Sequence, residues 1–143
     1  MSQLVFVYGT LTRVWLCNSV NSGNASPLLL HISEALLEHC THLGGARVRG
    51  ELYAVAHYPG LVLNGAESWV MGELYEVPNE HVSRTLALLD EYEEYVPNDP
   101  NNEYLRECIR VECNGQFVDA WCYLYNRPTQ HLPRIASGNF NNP

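Results

Sequence analysis

The run Leu86-Ala87-Leu88-Leu89-Asp90-Glu91-Tyr92-Glu93-Glu94-Tyr95 carries carboxylates to the end of an apolar helical stripe. At about 100° per residue, Val82, Leu86 and Leu89 share one face, and Glu93 continues it four residues on. Glu91 falls on roughly the opposite face and Glu94 well off the stripe. A carboxylate aimed at a core is costly unless it takes a proton or finds a partner. That makes Glu93 the leading candidate for a general acid/base. The alternative is a helix that ends earlier, with Glu93 opening a solvated acidic loop.

A second chemical feature lies near the start. The β-rich run Leu4-Val5-Phe6-Val7-Tyr8 stops at Gly9-Thr10-Leu11. Glycine at a strand end lets another molecule approach the backbone, and successive N–H groups there form an anion-binding nest. An ordinary turn is the competing reading.

Thiol and metal chemistry find less support. Cys17, Cys40, Cys108, Cys113 and Cys122 are an odd, scattered set with no CxxC or HxxxH pair. Such a set fits reduced thiols. Cys113 and Cys122 have the spacing to face one another across a hairpin, although two small buried hydrophobes fit them better. No ligand set with metal spacing appears, so no metal and no cofactor are expected.

Composition narrows the class. The chain has 143 residues, 46% of them hydrophobic, and a net charge of −8. That suits one domain over residues 1–143 with one sizeable core. Lys and Arg together number only eight, without a cluster. Nucleic acid is therefore not an expected partner, and acidity gives no help with anionic membranes. No apolar run reaches bilayer length. The start, Met1-Ser2-Gln3-Leu4, lacks the basic and apolar regions of a signal peptide, and a cytoplasmic location is expected.

The elements that must position these groups follow from periodicity. Strands are expected at Leu4–Tyr8, Arg47–Ala56, Leu61–Leu63, Trp69–Val77, Tyr104–Cys113 and Phe117–Tyr125. Gly72 suggests a bulge or a close approach, and Asn114-Gly115 a hairpin turn. Helices are expected at Leu28–Cys40, capped by Ser26 or Ser33 and ended by Gly44-Gly45, and through Val82, Leu86 and Leu89, capped by Asn79. Arg13–Pro27, rich in Asn and Ser, reads as a polar loop or a lid, with Trp15 and Leu16 tucked against the body. The pattern favours an α+β domain on a curved, mainly antiparallel or mixed sheet.

Six pieces, taken in order, resemble the γ-glutamylcyclotransferase-like family, which includes γ-glutamylamine cyclotransferases. They are Val5-Phe6-Val7-Tyr8-Gly9-Thr10-Leu11, Tyr58-Pro59-Gly60-Leu61-Val62, Val70 to Val77, Leu89-Asp90-Glu91-Tyr92-Glu93, Tyr104-Leu105-Arg106 and Ala120 to Tyr125. The resemblance implies a small mixed β-barrel of about five to seven strands, flanking helices and a cavity at one end. It implies that the glutamate of Leu-Asp-x-x-Glu, here Glu93, is catalytic, and that Tyr8, Gly9, Thr10 and Leu11 hold the substrate. Thr12-Arg13-Val14-Trp15 and the Asn/Ser-rich stretch after it depart from the short link of many relatives.

The implied reaction is an intramolecular aminolysis. The α-amine of a γ-glutamyl group attacks its own γ-carbonyl, closes 5-oxoproline and expels the attached amine. Orientation alone can remove about 7–11 kcal/mol from such a barrier. One carboxylate can take the ammonium proton and return it to the leaving amine. The N–H groups of Gly9, Thr10 and Leu11 suit the substrate α-carboxylate. Tyr104 and Tyr125 are candidate hydroxyl contacts, with half-buried sheet tyrosines the alternative. The expected partner is thus a small γ-glutamyl compound. The competing function is a module that binds a γ-glutamyl or amino-acid ligand without turnover.

Overall fold

Alternating apolar residues build both sides of the first strand, β1 (Gln3–Val7): Phe6 faces one buried cluster while Val5 and Val7 face another. This two-sided burial is the organising feature of the computed structural model, which describes residues 2–65 and 67–143. The other strands are β2 (Thr41–Arg49), β3 (Glu51–Ala54), β4 (Pro59–Val62), β5 (Trp69–Val77), β6 (Tyr104–Cys113) and β7 (Gln116–Tyr125). Five of them close a barrel in the order β1-β5-β2-β6-β7, and β3 and β4 form a separate hairpin. All neighbours are antiparallel except β1 and β7, which pair in parallel through Val5 and Trp121.

The barrel interior holds Phe6, Val48, Val70, Leu74, Val111 and Cys122. Three α-helices flank it: α1 (Arg13–Asn21), α2 (Pro27–Ser33) and α3 (Val82–Tyr92). Leu16, Ile32, Leu36 and Leu89 from the helical segments pack with Val5, Val7, Tyr75 and Val77 into the second core. The expected α+β barrel of five to seven strands is the observed architecture.

Local signals explain several boundaries. Asn114 and Gly115 take φ of 53° and 80°, the left-handed pair that a two-residue hairpin requires. Gly72 is a close approach: a Cβ there would collide with the Val7 carbonyl and the Phe6 ring. Ser26 accepts the Leu29 N–H at 3.1 Å, and Pro27 opens α2.

Other expectations need correction. Arg13–Pro27 is not a loop: nine of its residues form α1. Only Leu16 of that helix is buried while Val14 and Val20 are exposed, which leaves little apolar periodicity to read. The second helix is α only to Ser33 and continues as a π-helical stretch, Glu34–His39. Gly44-Gly45 does not end it but lies inside β2, where the register with β5 shifts between His42 and Gly44. The strand expected over Arg47–Ala56 is divided at Gly50 between β2 and β3. Asn79 does not cap α3; it begins a short 3-10 turn, Asn79–His81, that leads in. Cys113 pairs with Gln116 and Cys122 with Glu107, so the two thiols do not face one another.

Residues beyond β7 return across the barrel. The N–H of Ala54 bonds the Pro133 carbonyl, that of Ile135 the Leu52 carbonyl, and that of Met71 the Gly138 carbonyl. Phe140 then stacks on Trp15 of α1 with ring centres 5.9 Å apart.

Candidate active site

The helix that carries Glu93 ends in a defined way. The Glu93 N–H bonds the Leu89 carbonyl at 2.9 Å, so Glu93 keeps its place on the stripe although α3 proper ends at Tyr92. Glu94 then turns left-handed at φ 54°. Its N–H reaches the Glu91 carbonyl, and the Tyr95 N–H reaches that of Asp90 at 2.8 Å. These two bonds form a Schellman terminus with Glu94 where glycine is usual. The terminus fixes the direction in which the Glu93 side chain leaves the helix.

That direction is into a cavity of about 260 Å³. Its wall brings together the loop after β1 (Gly9, Thr10, Leu11), the β4 approach (His57, Tyr58, Pro59), the end of α3 (Tyr92, Glu93, Glu94), and Glu103, Tyr104 and Tyr123 of the β6–β7 region. Among the described residues, the Glu93 carboxyl has no hydrogen-bond partner. Burial, and secondarily the Glu103 carboxylate nearby, push its pKa up to about 8. Both causes disfavour the charged form.

Asp90, three residues before Glu93, is tied down instead. It accepts the Tyr123 hydroxyl at 2.6 Å and pairs with the Arg106 guanidinium at 3.2 Å. Arg106 in turn lies over the rings of Trp121 and Tyr95, 5.1 and 5.7 Å from their centres. This network clamps the end of α3 to β6 and β7.

The loop opposite Glu93 is shaped by contacts on its outer side. Thr12 donates its hydroxyl to the Gly9 carbonyl at 2.9 Å, and its N–H bonds the same oxygen at 3.2 Å. Asn141 donates to the Thr12 hydroxyl oxygen at 3.2 Å. A Cβ on Gly9 would lie 2.7 Å from the Pro59 ring, so no other residue fits this wall of the cavity. Among the described residues, the N–H groups of Gly9, Thr10 and Leu11 donate to no protein acceptor. The loop runs into α1, whose first N–H, that of Arg13, bonds Glu73 at 2.9 Å.

The tyrosines behave differently from expectation. Tyr8 lines the cavity, but its hydroxyl is committed to the Tyr123 carbonyl at 2.6 Å and to the Leu61 N–H at 3.2 Å. Tyr104 also lines it and donates its hydroxyl to the Pro59 carbonyl at 2.6 Å. Tyr125 is not part of the wall; it packs edge-on against Tyr104, with ring centres 5.6 Å apart. Tyr58, Tyr92, Glu103 and Tyr123 complete the wall and were not singled out from the sequence. Tyr58 and Glu103 lie in or beside stretches that carried the family resemblance, but no periodicity points them inward. Among the described residues, no group of three or more His, Cys, Asp or Glu is arranged to hold a metal ion.

A small mixed barrel with a cavity into which a buried carboxyl faces defines a class, and comparison assigns the chain to it. Residues 5–142 match the family described as "Gamma-glutamyl cyclotransferase, AIG2-like", and the protein belongs to that family. It is 36% identical over 90 residues to the "Gamma-glutamylcyclotransferase family protein ytfP" of Citrobacter rodentium. That alignment covers 63% of this chain and 66% of the relative, a little under two thirds of its length. The fold is similar to the solution structure of ytfP from Escherichia coli, with a TM-score of 0.59 and 28% identity over 98% of this chain and 97% of that one. It is also similar to the crystal structure of a mouse AIG2-like protein, with a TM-score of 0.63 and 24% identity over 95% and 87% of the two chains.

Proposed function

We propose that the protein cyclises a γ-glutamyl amine or γ-glutamyl amino acid, releasing 5-oxoproline and the free amine, with Glu93 as the acid/base. The observation that carries this reading is the Glu93 carboxyl without a protein partner, facing a cavity whose other side offers the uncommitted N–H groups of Gly9, Thr10 and Leu11. Those N–H groups suit the substrate α-carboxylate. The α-ammonium then lies toward Glu93.

The proton path balances on one residue. Glu93 takes a proton from the α-ammonium, and the freed amine attacks the γ-carbonyl. As the C–N bond to the leaving group breaks, Glu93 gives that proton to the departing nitrogen. It takes the second proton that the ring nitrogen sheds on becoming the lactam N–H, and passes it to the released amine. Both protons lost by the ammonium thus end on the leaving amine, and the carboxylate is restored. A carboxyl whose pKa is about 8 is matched to an amine far better than an ordinary one. The substrate's own positive charge favours ionised Glu93, so binding readies the base. The committed hydroxyls of Tyr8, Tyr104 and Tyr123 hold the walls and leave Glu93 as the proton carrier.

The test is 5-oxoproline release from a panel of γ-glutamyl compounds by the wild type and Glu93→Gln. The wild type turns over at least one member, and the variant, with its shape kept and its proton acceptor gone, loses at least about a hundredfold in kcat. Glu91, exposed on the far face of α3, is the control: Glu91→Gln retains wild-type rates. A Glu93→Gln enzyme with near-normal activity would transfer the role to another residue. Ligand binding by the wild type without product would favour the non-catalytic module.

A further inference from the structure

We infer that the leaving-amine side of the cavity is built for a cationic group, so that γ-glutamyl conjugates of diamines or polyamines are preferred to those bearing a free carboxylate. This rests on the γ-glutamyl reading above and narrows it. Among the described residues that line the cavity, the acidic side chains are Glu93, Glu94 and Glu103, and none is Lys or Arg. One carboxylate is taken up by the substrate α-ammonium. Glu103 is left for the rest of the ligand.

The surroundings of Glu103 leave it able to bind. The Tyr58 hydroxyl and Arg127, the latter at 3.9 Å and half exposed, both approach the same oxygen, Oε2. Among the described residues, Oε1 has no partner. The aromatic walls add a second feature of the same sign. Tyr58, Tyr92, Tyr104 and Tyr123 have their hydroxyls engaged with Glu103, Thr10, Pro59 and Asp90. What they offer the cavity is ring surface, which attracts ammonium groups. Among the described residues that line the cavity, His57, which is exposed, is the one basic side chain. A carboxylate on the leaving group would meet like charge, and the Arg127 guanidinium nearby is already paired with Glu103.

The experiment compares γ-glutamyl conjugates of diaminobutane, butylamine and aminobutyrate, which share a chain length and differ in terminal charge. The expected order of kcat/KM is cation, neutral, anion, with about ten- to a hundredfold between the first two. In Glu103→Gln the ratio of cation to neutral falls toward one; because both rates come from the same preparation, partial unfolding does not alter it. Equal or reversed preference with turnover intact overturns the charge selectivity and leaves the cyclotransferase reading standing. If none is turned over, calorimetric binding decides: tightest binding of the cationic conjugate supports the selectivity against the turnover reading, and no binding by any overturns both.

Discussion

Glu93 is held protonated by its surroundings over a pH range in which a free glutamate is ionised. Its carboxyl rises from 4.5 to about 8, chiefly through burial. The folded chain therefore binds a proton there that the unfolded chain has released, so this residue makes stability fall as pH rises from about 4.5 to about 8. Glu93→Gln removes that dependence. Its melting temperature should match the wild type near the lower limit and exceed it increasingly up to the upper one. A wild-type advantage at neutral pH would mean that the carboxylate is favourably paired in the free protein. In catalysis the same group should appear as an acid limb in kcat/KM with an apparent pKa near 8, since that parameter reports the free enzyme. The stripe of Val82, Leu86 and Leu89 made this residue legible in the sequence, because α3 keeps helical geometry through its cap. Glu103 was not legible: it precedes β6, and its position against Glu93 depends on the hairpin register and the barrel closure.

At the scale of elements, the turn after α3 and the loop after β1 form the two jaws of the site. The first contains a strained position, since Glu94 holds φ 54° without being glycine. Glu94→Gly should stabilise the fold by about 0.5–1 kcal/mol, relieving the left-handed residue within the Schellman bonds. Chemical denaturation measures this, and a loss of stability would mean that the Glu94 side chain contributes more than its backbone costs. The second jaw has no such room. Gly9→Ala drives a methyl into the Pro59 ring and should raise KM at least about tenfold by displacing the N–H groups of the loop. An unchanged KM would remove that loop from substrate binding. The strand-glycine signal was visible in Gly9-Thr10-Leu11, but α1 behind it was not. Nine residues with one fully buried side chain, Leu16, carry too little apolar pattern to distinguish a helix from a polar loop.

At the scale of the whole molecule, the residues after β7 act as a strap across the barrel and behind the Gly9 loop. Ile135 is buried in the barrel cluster, Gly138 bonds Met71 of β5, and Phe140 and Asn141 reach α1 and Thr12. Phe140→Ala should cost about 1–2 kcal/mol, less than the roughly 3–5 kcal/mol of a fully buried aromatic because the ring is only partly buried. It should also raise KM more than it lowers kcat, because it loosens the Gly9 loop rather than the Glu93 helix. Parallel loss in both would point to general unfolding instead. The polar composition of this segment hides its role in the sequence. Periodicity made the barrel legible only as a set of strands; its closure came from the family resemblance alone, since no local pattern announces a parallel pair between the first strand and the last.

That parallel seam has a consequence for how the protein comes into being. Val5 pairs with Trp121, and the Trp121 indole N–H donates to the Gln3 side chain across 118 positions of sequence. The seam can form only once both β1 and β7 are available, and such distant pairing is slow to nucleate. The Gly9 loop hangs from β1, and Tyr104 and Tyr123 belong to β6 and β7. The pocket is therefore assembled from strands at opposite ends of the fold. Until the ring closes, the chain carries Glu93 without the cavity it faces.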